Sequence, residues 1–177
     1  MKKLIFLLPL FLIYACKTQT GTILTSEEKT MKDIKGQTTA CPEDGTCETK
    51  LFTGKNLEII DDGNGNLYPE IVDGKNWVVE FTYLRKGPVG TADGNYFEVI
   101  TFEIPANIQT LVKENAGLAD VKMIFGKHGY RMSEHQLITD GKLSLQKRDM
   151  GVHFDLRFNI GQTSHVISHI NKTVRKH

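Results

Sequence analysis

From Cys47 to the C-terminus, apolar and polar residues alternate in short runs separated by turns rich in Gly, Asn and Asp. "NLEII" at residues 56–60 leads into "DDGNGN", then "LYPEIV" and a second turn at Asp73-Gly74. "WVVEFTYLR" puts Trp77, Val79, Phe81 and Tyr83 on one face, with Glu80 and Thr82 on the other. "YFEVITFEI" alternates in the same way, and "DVKMIF", "HQLIT", "KLSLQK" and "HVISHI" continue the series. In "VHFDLRFNI" the residues Val152, Phe154, Leu156, Phe158 and Ile160 share a face. A period of two is the mark of strands that bury one side, and Asp-Gly pairs between such runs signal hairpins. About eight or nine strands are expected, in an all-β fold: an antiparallel β-sandwich, with a barrel as second choice. Pro69 falls inside a strand-like run, which marks that strand as an edge or a bulge because proline cannot donate to a ladder. The one helical candidate covers residues 106–115, with Ile108, Leu111 and Val112 on one side and Pro105 before its start.

The pattern changes ahead of Cys41. Residues 17–40 are rich in Thr, Lys and Glu and contain no aromatic side chain, a composition that reads as a flexible tether. Before them, Lys2 and Lys3 precede an apolar run at residues 4–13, followed by Tyr14, Ala15 and Cys16. This is the layout of a secretory signal, and the run is too short for a spanning helix, which needs ~20 residues. Ile13-Tyr14-Ala15-Cys16 resembles the lipobox of bacterial lipoproteins, and the leader is similar to those of Bacteroidota lipoproteins. The resemblance implies cleavage before Cys16, lipidation of its thiol and amine, and a membrane partner reached through that lipid. With Lys17 rather than Asp next, it also implies the outer membrane. The expected organisation is therefore a signal peptide at 1–15, a lipidated Cys16 with tether at 16–40, and a β-domain at 41–177.

Composition adds a charge argument. The 22 basic and 21 acidic side chains nearly balance, and loss of Lys2 and Lys3 with the leader leaves 20 basic ones. A near-neutral chain has no overall field to gather nucleic acid, so none is expected as a partner. Cys41 and Cys47 lie in "CPEDGTC", where Pro42 and Gly45 help the chain turn back. In an exported chain this pair is expected to form a disulfide, contributing about 2 to 2.5 kcal/mol for so small a ring.

Motifs that would carry chemistry are sparse. "DDGNGNLYPEIVD" offers calcium-type ligands at Asp62, Asn64, Asn66 and Asp73, but Leu67 stands where an EF-hand loop needs glycine, and a hairpin turn is the preferred reading. If a three-residue loop joins the last two strands, His153 faces His169 with Asp155 on the same side, a possible zinc or copper set; a one-residue slip removes it. His128 and His135 flank the loop "GKHGYRMSEH", which is no zincin helix. Glu98 and Glu103 point to opposite faces of one strand and cannot act together. There is no nucleophile elbow, Walker A loop or dinucleotide fingerprint. "NKTVRKH" at the C-terminus is basic and could touch phosphate-bearing polymer, though it reads more simply as a solvated tail.

The expectation is thus an outer-membrane lipoprotein whose non-catalytic β-domain binds an envelope protein or surface polymer, without a cofactor. The alternatives are a carrier of small apolar ligands with a lipocalin-like barrel, although "GKNW" departs from the lipocalin G-x-W, and a His-based metal protein or enzyme.

Overall fold

The computed structural model describes residues 39–91 and 93–176. Cys16, the leader and the tether up to residue 38 lie outside the described residues. Nine strands form: β1 Thr46–Asp61, β2 Leu67–Arg85, β3 Tyr96–Ile104, β4 Thr110–Glu114, β5 Ile124–Gly129, β6 Met132–Leu137, β7 Asp140–Arg148, β8 Gly151–Asn159 and β9 His169–Arg175. They pair antiparallel in two sheets, ordered β1-β2-β3-β5-β6 and β4-β7-β8-β9. The sheets do not close on each other, so the fold is the expected sandwich and the barrel is not formed.

The alternating faces meet between the sheets. Val79, Phe81, Tyr83, Ile100 and Phe102 from the larger sheet pack against Val152, Phe154, Leu156 and Phe158 from the smaller, all buried. Phe102 and Phe154 touch edge to face with centroids 5.3 Å apart, which favours the pair beyond simple burial. A carrier would need this interior for its ligand, and here side chains occupy it. The Cys41–Cys47 disulfide forms as expected, with Cα atoms 5.7 Å apart, and packs on the core margin.

The long β1–β2 hairpin explains a second apolar cluster. β2 pairs with β3 only over residues 77–85; residues 67–76 leave the sheet with β1 as their ladder partner. The β1–β2 register slips between Thr53 and Lys55, at Gly54 with φ +68°, where a bulge bends the ribbon. Its distal half then curls over the outer face of the larger sheet. Leu57 packs there with Val78 and Ile124, and Tyr68 reaches His135, three strands away from β2 in sheet order. β3 is consequently buried on both faces, including both of its glutamates. Pro69 sits in the distal half opposite Ile59, at an edge as proline requires.

Three expectations need correction. No turn forms at Asp73-Gly74: both residues lie inside β2, which runs unbroken from Leu67 to Arg85 with Asp73 paired to Lys55 of β1. Residues 106–115 do not form a helix: Thr110–Glu114 is β4, paired to β7, and a short 3-10 helix follows at Asn115–Val121. Leu111 packs against the core while Val112 is 52 % exposed, so adjacent residues face opposite ways, and β-branched Thr110 and Val112 favour that extended course. The basic C-terminal segment is no solvated tail, because residues 171–175 complete β9 and Val174 is buried.

Candidate functional site

The histidine set expected on the outer face of the smaller sheet does not assemble. His153 lies opposite Thr173, Asp155 opposite Asn171, and Arg157 opposite His169. The connection from β8 to β9 spans residues 160–168 rather than three residues, which moves the register four positions, or about 13 Å of strand. Asp155 and His169 do meet: Asp155 Oδ2 lies 3.2 Å from His169 Nε2 and accepts from Asn171 Nδ2 at 2.6 Å. His153 instead turns its Nδ1 to Thr173 Oγ1, 3.0 Å away. Burial, then Arg148, pulls the His153 pKa below the ordinary histidine value, with Asp155 opposing. Among the described residues, no three His, Cys, Asp or Glu side chains converge as a metal set.

Of the calcium-type residues, Asp62, Asn64 and Asn66 share one turn and Asp73 lies apart from them. Asp62 Oδ1 accepts from the backbone N–H groups of Asn64 and Asn66, at 2.8 and 3.1 Å, and its Oδ2 from Asn66 Nδ2 at 2.8 Å. These bonds, that of the Asn66 side chain foremost, bring its pKa down to about 2. Asp73 pairs with Lys55 at 2.6 Å well down the hairpin. "DDGNGN" is therefore a turn whose own amides occupy its carboxylate.

At the disulfide end, Asp44 accepts from Tyr83 Oη at 2.7 Å and faces Arg85 at 3.3 Å. Gly45 is required beside it, since a Cβ there would fall 2.3 Å from the Tyr83 ring and 2.7 Å from the Leu84 carbonyl. Arg85 lies over the Tyr96 ring, whose hydroxyl donates to Glu98. Burial, then the bond to Asp44, pushes Tyr83 up to about 12; burial and Glu98 raise Tyr96 further. Unfolded tyrosine ionises near ~10, so above that pH the unfolded chain holds fewer protons than the native one and stability falls as pH rises. Absorbance at 295 nm is expected to show Tyr83 and Tyr96 ionising only as the chain unfolds; their ionisation near pH ~10 in a chain that is still folded would refute this.

Two surface features remain. The first is a cleft of about 160 Å³ between the curled hairpin and the outer face of the larger sheet, lined by Pro69 and Ile71 above and by Glu80, Thr101, Gly126, His128 and His135 below. His128 pairs in register with Ser133 and His135 with Gly126, so the two imidazoles are diagonal neighbours, 4.9 Å between centroids and inclined at 69°. Burial holds both below the ordinary histidine pKa, and His128 lowers His135 further.

The second is the basic end of the smaller sheet. Lys147 and Lys176 set their ammonium groups 3.9 and 4.5 Å from the centroid of Trp77. Next to them in the chain, Arg148 at the end of β7 and Arg175 at the end of β9 border a recess of about 430 Å³ with Met150, Gly151, Thr173 and Val174. Burial, then Lys176, lowers the Lys147 pKa. The sequence shows each of these residues, but strand pairing alone brings them to one end. No family model, curated protein or solved structure matches the chain.

Proposed function

We propose that the protein is a lipid-tethered, non-catalytic module of the outer membrane whose β-domain holds an anionic envelope polymer at the basic end of the smaller sheet. The observation that carries this reading is the placement of Lys147 and Lys176 over one Trp77 ring. The indole face attracts each cation, but the two ammonium groups repel, and a phosphate, sulfate or carboxylate beside them relieves that repulsion. Arg148 and Arg175, which line the adjoining recess, add two further cations at this end of the sheet. The lipobox supports the tether, and with a near-neutral overall charge an anionic partner must be drawn by a local cluster of cations such as this one.

Dextran sulfate serves as probe, with uncharged dextran as control. The full chain is expected to bind the sulfated polymer alone, more weakly as salt rises, and the double variant Lys147→Gln with Lys176→Gln to lose about tenfold in affinity. Equal binding by that variant, or equal binding of both polymers, would remove the proposal. In producing cells, Cys16→Ser is expected to shift the chain from the membrane to the soluble fraction, and its retention with membranes would dismiss the tether.

A further inference from the structure

The cleft under the curled hairpin holds chemistry that polymer binding does not use. His128 and His135 project from β5 and β6 over Gly126, which has no side chain to fill the space between them. A Cβ built on Gly126 would lie 2.9 Å from His135 Nε2 and 3.1 Å from His128 Nε2, so the two nitrogens are at most about 6 Å apart. An ion about 2.0 to 2.1 Å from each of two imidazole nitrogens needs them roughly 3 to 4 Å apart, which lies within that limit. Ser133 Oγ, 3.1 Å from His128 Nδ1, orients that ring and leaves Nε2 for the cleft. The Tyr68 ring packs at 5.9 Å from His135 and restrains the second imidazole.

The surroundings suit a cation more than an organic molecule. A volume of about 160 Å³ is below the roughly 300 Å³ at which small-molecule pockets begin, yet it admits an ion with its waters. Glu80 adds a negative charge to the lining. Its register partner Lys50 has its ammonium on Glu48 at 3.6 Å, and Glu80 makes no ion pair among the described residues. Two imidazoles with no thiolate favour a borderline divalent transition metal over calcium or magnesium, and Cu²⁺ stands highest in the affinity order.

We propose that His128 and His135 form a two-histidine site for a divalent transition-metal ion, Cu²⁺ first, through both Nε2 atoms, with water completing the coordination. Gly126 is part of the site because any side chain there would collide with the ligand rings. This inference is independent of the polymer reading: it concerns the other sheet and survives if dextran sulfate does not bind.

The test is titration of the purified full chain with Cu²⁺ alone, followed by electron paramagnetic resonance. One ion per chain with two nitrogen ligands is expected. His128→Asn and His135→Asn should each lower affinity at least about tenfold, while His153→Asn leaves it unchanged. A signal with no or one imidazole nitrogen, or the same affinity in both cleft variants, overturns the site. Wild-type nuclear magnetic resonance covers the case of a variant that fails to fold. Cu²⁺ is expected to broaden the ring protons of His128 and His135 before those of His153, His165 and His169, and the opposite order would refute the assignment.

Discussion

Replacing Glu98 by alanine is expected to lower the stability of the domain by about 4 kcal/mol, measured as a shift of the denaturant midpoint at unchanged slope. Glu98 lies on β3 with no exposed surface, turned toward the space between the sheets. Its Oε1 accepts from the backbone N–H of Val166 at 2.6 Å and from the Tyr96 hydroxyl, and its Oε2 accepts from the N–H of Ile167 at 2.8 Å. The larger sheet thereby fixes the segment that leads into β9. Alanine leaves two backbone donors and a phenol without partners away from water, and each unsatisfied group costs about 1 to 3 kcal/mol. Amide exchange should rise first at Val166 and Ile167. A loss under about 1 kcal/mol would mean that water or a local shift replaces the carboxylate, and would end this account of the joint between the sheets.

Glu103→Ala should cost less, about 3 kcal/mol, and in a different place. This second buried carboxylate faces outward from β3 and accepts from Leu57 N at 2.7 Å, with Lys122 Nζ 3.4 Å away. Lys122 in turn donates to the Leu57 carbonyl at 2.7 Å, so both backbone groups of one hairpin residue are held. It does so from the left-handed region, φ +50°, a conformation that costs a non-glycine residue energy and that these contacts offset. Because these bonds pin the distal hairpin, their loss should open that half ahead of the rest, in the manner of a sub-global unfolding unit. Exchange is expected to accelerate at Leu57 and across residues 67–76 while β7 and β8 stay protected. Uniform acceleration through both sheets would show that the hairpin does not move independently. If the hairpin does lift, Cu²⁺ affinity at the cleft should fall in parallel, since Tyr68, Pro69 and Ile71 leave with it.

The two glutamates also mark how far the chain could be read without its fold. Their opposite directions follow from period two alone and are what the structure shows. That both are buried does not, because the outer face of β3 is covered only once the hairpin bends at Gly54 and crosses two strands. The sequence signals for that bend are a glycine inside a long alternating run and a proline beyond it. The run of β8 and the Trp77–Arg85 half of β2 were legible for the same reason that they are stable: a strand buried on one side must alternate. The Asp-Gly pair at 73–74 suggested a break in β2 that pairing with β1 does not allow. Residues 106–115 misread because Ile108, Leu111 and Val112 suit a helical stripe as well as a strand, and pairing with β7 settled the choice.

The candidate sites divide along the same line. His153, Asp155 and His169 were placed on one face correctly, but their distances depended on the length of the β8–β9 connection, which no local pattern reports. His128 and His135 were visible only as residues flanking a glycine-containing loop. Their meeting depends on the tight turn between β5 and β6 and on the bare Cα of Gly126. Trp77, Lys147 and Lys176 are far apart in sequence and meet where the two sheets end.

By itself, then, the sequence determined the all-β class, the faces of the strands that bury one side and the Cys41–Cys47 staple, since each follows from side-chain periodicity or from residues a few positions apart. The tertiary structure alone decided the register of β9, the curl of the β1–β2 hairpin and the pairs His128–His135 and Lys147–Lys176. Those are contacts between segments distant along the chain, set by packing and loop length, which alternation does not encode.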